Sequence, residues 1–311
     1  MLTFQRHSPK KPIMRFTKDA LRDTSKRSAG RLAVAAHWLA GARTRGTGIL
    51  VYHRICDSSN LPSPPTMNVT PQRFREQLEL LLQAGYRFVS LHELCQSAQS
   101  GDIPHKTLVV TFDDIFQNVY GNAWPVLAQL GIPATVFVAT GFLDSSSPFP
   151  FDTWGCKNME SLDPLCYLPV TRDQCHEMQA TGLIEIGAHT HSHEDFAKRL
   201  DAFAEDLAQC MHQLRSLFRP EAIPFAFPFG RRSMGAVNDA MIDIVRTCGA
   251  YCALTTDCEA IEPGGTPYAW GRFNVYQWDT ATTIAAKVGG WYSWAPRLQD
   301  AFLERNRQQT K

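Results

Sequence analysis

Strand-like and helix-like segments alternate along the chain, and this alternation limits the fold more than any other feature. Apolar runs typical of strands include GILVYHRI (48–55), TLVVTF (107–112) and PATVFVAT (133–140), and amphipathic segments lie between such runs. The alternation repeats about seven times, which predicts parallel βαβ units in an α/β fold. We expect a closed or nearly closed barrel, in which active sites lie at the carboxyl ends of the strands.

Polar side chains stand at three of these predicted strand ends. Asp113 and Asp114 directly follow TLVVTF. His189 and His193 lie four residues apart just after the run LIEIGA, and His53 closes the apolar run GILVY. Because the carboxyl ends of parallel strands meet at one edge, we expect these residues to lie close together.

Two imidazoles and one carboxylate form a half-open ligand set for a divalent metal such as zinc. Neighbouring side chains of an extended segment point to opposite sides, so only one of Asp113 and Asp114 can face the metal. The other is then placed to take a proton from the attacking water. Each pattern also has a plainer interpretation: the aspartates can cap a helix, the histidines can belong to a solvated loop, and His53 can be a core residue.

Two short motifs resemble those of the NodB-type polysaccharide deacetylases, carbohydrate esterase family 4. The stretch TFDDI (111–115) is similar to the first motif of that family, and HTHSH (189–193) fits the second. The similarity covers residues 48–275. It implies a distorted (β/α)7 barrel of the NodB homology type.

Within that family the chain is similar to a branch that includes deacetylases of poly-N-acetylglucosamine. The YH pair of the first strand carries this likeness. By this resemblance His53 is the general acid and Asp113 is the general base. The implied metal ligands are Asp114, His189 and His193.

The motif FAFPFG (225–230) takes the place of the family's third motif. The resemblance implies that the backbone N–H of Phe229, beside Gly230, binds the oxyanion. The arginine usual in this motif is absent, and we expect Arg272 in WGRFNV to orient Asp113 instead. Ile115 stands where the family has glycine, which places a branched side chain beside the site and disfavours a positive φ.

An aromatic insert, PFPFDTWG (148–155), resembles a loop that lies over the site in this branch. Trp154 is a candidate for stacking on a sugar face, and Asp152 is a candidate for accepting a sugar hydroxyl. The alternative is that the aromatic residues only pack the loop against the domain.

The resemblance implies hydrolysis of N-acetyl groups from an amino-sugar oligosaccharide, polysaccharide or precursor, with release of acetate. The expected cofactor is Zn²⁺, with Co²⁺, Ni²⁺ or Fe²⁺ as alternatives. Two other functions stay open. One is an impaired barrel that only binds a glycan, an interpretation that Ile115 favours. The other is deacetylation of a non-sugar amide or an O-acetyl ester.

Charge divides the chain into an arm and a main domain. The net charge of +1 argues against a nucleic-acid partner, but residues 1–47 hold 11 of the 31 Lys and Arg residues against two acidic ones. We expect a partly helical basic extension over 1–47, with peripheral membrane contact as an alternative to packing on the domain. The deacetylase barrel is expected over 48–290 and a helical tail over 291–311.

The nine cysteines show no metal-binding spacing. Because no export signal is evident, we expect reduced thiols and a cytoplasmic location, including the inner membrane face, with export by an atypical signal as the alternative.

Overall fold

The computed structural model describes residues 46–57, 64–261 and 265–290. The predicted basic extension, apart from residues 46 and 47, and the predicted C-terminal tail lie outside these residues. Within the described ranges, no helix combines the length and the apolar character needed to cross a bilayer.

The main sheet is curled and entirely parallel. Its strand order is β10-β1-β5-β6-β7-β8-β9, with β4 added alongside β5, while β2 and β3 form a separate parallel pair. The strands are β1 (Gly48–Tyr52), β2 (Arg54–Ile55), β3 (Asn68–Val69), β4 (Arg87–Phe88), β5 (Thr107–Phe112), β6 (Ala134–Val138), β7 (Ile184–Ala188), β8 (Ile223–Ala226), β9 (Ala250–Leu254) and β10 (Phe273–Asn274). This arrangement confirms the expected distorted (β/α)7 barrel.

Helices follow most strands, and apart from α2 and α4 they pack on the outer face of the sheet. They are α1 (Pro71–Gln83), α2 (Leu91–Ser100), α3 (Trp124–Leu130), α4 (Thr153–Asn158), α5 (Arg172–Ala180), α6 (Leu200–Phe218), α7 (Asp239–Thr247) and α8 (Ala281–Val288). Local sequence explains where several begin: the hydroxyls of Thr70, Ser90 and Thr171 each accept a hydrogen bond from a first-turn N–H.

Alternation along β5 separates the two sides of the sheet. Leu108, Val110 and Phe112 pack in the large core beneath the helices, whereas Val109 belongs to a smaller cluster inside the curl. The apolar face of α2 fills this inner cluster. Continuing the alternation by period two carries the inner face through Thr111 to Asp113, at the carboxyl end of the barrel.

The predicted strand over 48–55 divides at His53. Its first part pairs with β5 and β10, whereas Arg54–Ile55 leaves the main sheet and pairs with β3. An unbroken strand could not satisfy both sets of partners. The division leaves His53 in a non-strand position at the edge of the barrel.

Candidate active site

The polar strand ends meet at one edge, as parallel pairing requires. Tyr52 and Phe112 are paired in register, and the N–H of Asp113 donates to the Tyr52 carbonyl at 3.0 Å. The N–H of His189 donates in the same way to the Val138 carbonyl at 3.0 Å. These bonds extend the sheet by one residue and fix the starting points of the two polar segments.

Asp114, His189 and His193 converge on a common point. Their ligand atoms all lie within 4.8 Å of one another. Asp114 Oδ1 is 3.0 Å from His193 Nε2 and 3.4 Å from His189 Nε2. Burial would raise the pKa of Asp114, but hydrogen bonds from the two imidazoles hold it well below its ordinary value. The structure therefore brings together the three residues predicted as metal ligands.

The environment of His189 fits a metal ligand. Its Nδ1 lies 2.8 Å from the Ala226 carbonyl, which can only accept a hydrogen bond. The Nδ1 proton is thereby fixed, and Nε2, 3.4 Å from Asp114 Oδ1, is the ring nitrogen left to bind a cation. Metal-binding histidines usually have such a partner on the second ring nitrogen. With one carboxylate and two imidazoles, the set suits zinc and related divalent ions.

A carboxylate on α6 holds the segment between the two histidines. Asp206 accepts hydrogen bonds from the N–H groups of His191 at 2.5 Å and Ser192 at 3.0 Å. Thr190 and His193 both have positive φ, 64° and 55°, and these anchors hold the segment in that conformation. Sequence reasoning missed this role of Asp206, because in the sequence it looks like any solvent-exposed acidic residue of an amphipathic helix.

His191 is turned away from its two neighbours in the motif. Its Nδ1 lies 3.0 Å from Thr140 Oγ1, and its Nε2 lies 3.0 Å from Gln209 Nε2. The middle histidine of HTHSH is therefore outside the three-residue cluster.

Asp113 forms a buried ion pair with Arg272. The guanidinium donates from Nη1 to Oδ1 at 2.6 Å and from Nη2 to Oδ2 at 2.7 Å. Arg272 is itself fully buried and donates from Nε to the Thr255 carbonyl at 3.0 Å. Burial would raise the pKa of Asp113, but the Arg272 charge and hydrogen bonds bring it below its ordinary value. Asp113 is thus ionised and held in one orientation.

A family model described as polysaccharide deacetylase matches residues 100–253, which contain both aspartates and both histidines of the cluster. The chain belongs to the polysaccharide deacetylase family. Two curated relatives are poly-beta-1,6-N-acetyl-D-glucosamine N-deacetylases. That of Staphylococcus epidermidis is 27% identical over 217 residues, covering 67% of this chain and 68% of the relative. That of Staphylococcus aureus is 24% identical over 210 residues, covering 65% of each.

A solved structure supports the same family. IcaB from Ammonifex degensii superposes with a TM-score of 0.63 at 27% identity, covering 80% of this chain and 97% of that one. This deacetylase therefore spans about two thirds of the length of the two curated relatives and matches almost all of the solved one.

His53 lies beside the charged cluster of the deacetylase. Burial lowers the pKa of His53 below its ordinary value, although the charges of Asp114 and Asp113 act to raise it. The imidazole therefore gives up a proton more readily than one in water. The structure places it at the edge predicted for the general acid, a role that stays a prediction.

The third motif of the deacetylase follows β8. Phe229 has a φ of 55°, its side chain is 55% exposed, and its ring lies 5.1 Å from that of His193. No described residue accepts a hydrogen bond from its N–H. A side chain at Gly230 would place a Cβ 2.6 Å from the Phe227 carbonyl oxygen, so the turn requires glycine there. The Phe229 N–H is thus without a backbone acceptor among the described residues, and its role toward an oxyanion stays a prediction.

Asp152 and Trp154 are both engaged with Arg54. Asp152 pairs with the Arg54 guanidinium, and the same guanidinium lies 4.9 Å from the centre of the Trp154 ring. These are the contacts expected if the aromatic insert packs against the domain. The sugar contacts predicted for the two residues remain predictions. Sequence reasoning missed Phe151, whose ring stacks on His193 at 4.0 Å.

Ile115 adopts a positive φ of 36° although its branched side chain disfavours one. The side chain is 1% exposed and belongs to the main core, and its carbonyl accepts the Val170 N–H at 3.1 Å. Burial therefore holds a conformation that glycine would adopt without strain.

The expectation of reduced thiols is wrong for one pair, because Cys56 and Cys166 form a disulfide. Their Cα atoms lie 5.6 Å apart although 110 residues separate them along the chain. The end of β2 and a short helical turn at Pro164–Cys166 meet only in the folded protein. Sequence spacing therefore gave no sign of this pairing.

Proposed function

We propose that this polysaccharide deacetylase is a metal-dependent N-deacetylase acting on N-acetylglucosamine residues of a glycan or its precursor. The convergence of Asp114, His189 and His193 beside an ionised Asp113 is the observation that carries the proposal. The names of the relatives from both staphylococci support the substrate class.

A divalent cation held by Asp114, His189 and His193 would polarise the acetyl carbonyl and acidify a water molecule. We propose Zn²⁺, because the nitrogen and oxygen donors suit it, with Co²⁺, Ni²⁺ and Fe²⁺ as alternatives.

The protein groups divide the remaining chemistry. Asp113, held by Arg272, takes a proton from the attacking water as its oxygen bonds to the acetyl carbon. The Phe229 N–H donates a hydrogen bond to the carbonyl oxygen as negative charge develops there. His53 donates a proton to the sugar nitrogen as the C–N bond breaks, leaving acetate and a free amine. Amides need this proton because their nitrogen is a strongly basic leaving group.

Acetate release tests this proposal. Purified protein is incubated with β-1,6-linked N-acetylglucosamine oligomers alone, with a chelator, and with Zn²⁺ added back. We expect release that the chelator abolishes and the metal restores. His193→Ala should abolish it, whereas the matched variant His191→Ala should retain most of it, since His191 lies outside the cluster.

Three outcomes of the same assay would contradict the proposal. Acetate release that is insensitive to the chelator would contradict the proposed dependence on a metal. Release only from O-acetylated glycans or from non-sugar amides would change the substrate. Glycan binding with no release from any substrate would favour the binding-module alternative that Ile115 suggested.

We also infer that the protein acts in an oxidising compartment, although the sequence predicted a cytoplasmic location. The Cys56–Cys166 disulfide supports this, because such bonds are rare in reducing cytosol. The test is to isolate the protein from cell fractions under acid quench and to label its free thiols. A labelled Cys56 and Cys166 in the active fraction would contradict the inference.

A further inference from the structure

The two histidines of the cluster are oriented by different means. His189 Nδ1 has the Ala226 carbonyl as its partner, whereas His193 Nδ1 is buried with no hydrogen-bond partner among the described residues. The His193 ring is instead covered by Phe151, with ring centres 4.0 Å apart and planes inclined by 22°. Packing against a flat ring restricts rotation of the imidazole, a function that a hydrogen bond performs for His189.

Phe151 is held from behind by other aromatic rings. It stacks on Phe149 at 5.0 Å, and Phe149 meets Phe116 edge to face at 5.0 Å. The Arg54 guanidinium lies 4.0 Å above the Phe116 ring. A continuous set of contacts thus runs from the His193 imidazole to Arg54.

Arg54 also binds the loop directly. It is 4% exposed, pairs with Asp152 next to Phe151, and donates from Nε to the Cys166 carbonyl at 2.6 Å. Cys166 is in turn bonded to Cys56, two residues beyond Arg54. One short stretch of chain, Arg54–Cys56, therefore holds the insert by the ion pair with Asp152 and the segment that follows it by the bonds to Cys166.

We propose that Phe151 is a positioning residue for His193, and that Arg54 and the Cys56–Cys166 disulfide hold Phe151 in place. Metal affinity then depends on a disulfide that supplies no ligand. This inference rests on the metal site of the proposed function. Changes to groups that orient metal ligands typically weaken metal binding by about 10- to 100-fold.

Metal affinity measured without substrate tests the stacking contact. The probe is Co²⁺ or Zn²⁺ in competition with a chromophoric chelator. Phe151→Leu should weaken binding about 10-fold. Phe151→Tyr keeps the ring and should bind as wild type does. Equal affinity for Phe151→Leu and wild type, or an equal loss in Phe151→Tyr, would overturn the proposal.

A second pair of variants tests the disulfide. The double variant Cys56→Ser with Cys166→Ser should weaken metal binding several-fold. This loss should not exceed the loss of about 10-fold expected for Phe151→Leu. The matched control is Cys248→Ser, a free, half-buried cysteine that directly follows α7, and it should bind metal as wild type does. A double variant with wild-type affinity would overturn the proposed role of the disulfide.

Arg54→Lys provides the same test without removing a cysteine, should the double variant fail to fold. Lysine keeps the charge but loses the Nε bond to Cys166 and the flat contact with Phe116, so affinity should again fall. An Arg54→Lys protein with wild-type affinity would count against the proposal. Absence of metal binding in the wild type would instead contradict the proposed function, so the two failures are distinguishable.

Discussion

The two ends of the barrel use positive φ angles in different ways. At the amino ends, the connections into the strands place glycine in this conformation: Gly85, Gly101, Gly131, Gly182 and Gly249, with Lys106 and Arg219 as exceptions. In the connections that leave the carboxyl ends the same conformation falls mostly on residues that bear side chains: Asp114, Ile115, Asp144, Thr190, His193 and Phe229, with Gly235 as the exception. Each such residue costs about 1–3 kcal/mol, whereas glycine costs little. Strain is therefore concentrated where the candidate ligands are.

A second contrast concerns two carboxylates away from bulk water. Asp113 at the carboxyl end is paired through both carboxylate oxygens with the Arg272 guanidinium, which lowers the pKa of Asp113. Among the residues that the structure describes, half-buried Glu185 on β7 has hydroxyl donors only, from Thr135 at 2.8 Å and Tyr251 at 2.9 Å. Burial raises the pKa of Glu185 despite these bonds. The pKa of the carboxyl group is therefore lowered at the active end and raised at the opposite end.

Among the variants that test these contrasts, Arg272→Ala should have the largest effect on stability and activity. Leaving Asp113 buried without a partner should lower the free energy of unfolding by about 3–5 kcal/mol. Deacetylation should fall about 10²-fold or more, because the base loses its orientation. Urea unfolding and acetate release measure the two effects. Arg246→Ala, at an exposed ion pair, is the control and should change both little.

A double variant separates the lost charge partner from lost packing. Asp113→Asn combined with Arg272→Ala should recover part of the stability, because no unpaired charge is then buried. Additive losses in the double variant would contradict this account of the pair.

Asp206→Ala should weaken metal binding about 10-fold, because two backbone N–H groups between His189 and His193 lose their acceptor. Asp206→Asn keeps one acceptor oxygen and should lie between alanine and wild type. Glu205→Ala, an exposed neighbour on the same helix, is the control. The measurement is metal affinity by chelator competition. Wild-type affinity in Asp206→Ala would show that the segment between His189 and His193 keeps its conformation without Asp206.

Ile115 tests how much of the strain is offset by burial. Ile115→Gly should lower the free energy of unfolding by about 1–3 kcal/mol, since loss of the buried side chain outweighs relief of strain. Ile115→Ala removes nearly the same side chain but keeps the strain, so it should be about 1 kcal/mol less stable than Ile115→Gly. Urea unfolding ranks the two, and alanine above glycine would mean that φ at this position is unstrained.

The smallest effect concerns Glu185 at the opposite end. Because its folded pKa is raised, the folded state binds more protons than the unfolded state between the two pKa values, and stability falls as pH rises through that window. The contribution is fully present below the ordinary value of 4.5 and is lost above the folded pKa. Glu185→Gln should flatten the pH dependence of unfolding, and exposed Glu205→Gln should not. An unchanged slope in Glu185→Gln would contradict the raised pKa.

Much of the barrel could be predicted because apolar periodicity is local and repeats, and because parallel pairing brings equivalent strand ends to the same edge. The same rule placed Asp113, Asp114, His189 and His193 at one edge, since each follows a strand. The contacts of Asp206 and Phe151 could not be predicted, because they depend on how a helix and a loop fold over that edge. The Cys56–Cys166 bond could not be predicted for the same reason, because the spacing of cysteines along the chain does not show which of them meet in the fold.

The division of labour between Asp113 and Asp114 is the central claim. Metal content and acetate release of wild type, Asp113→Asn and Asp114→Asn, measured on the same preparations, test it most directly. The account predicts one equivalent of metal and active wild type, a metal-containing but inactive Asp113→Asn, and an Asp114→Asn that lacks both. Full metal content in Asp114→Asn, or wild-type acetate release by Asp113→Asn, would contradict it.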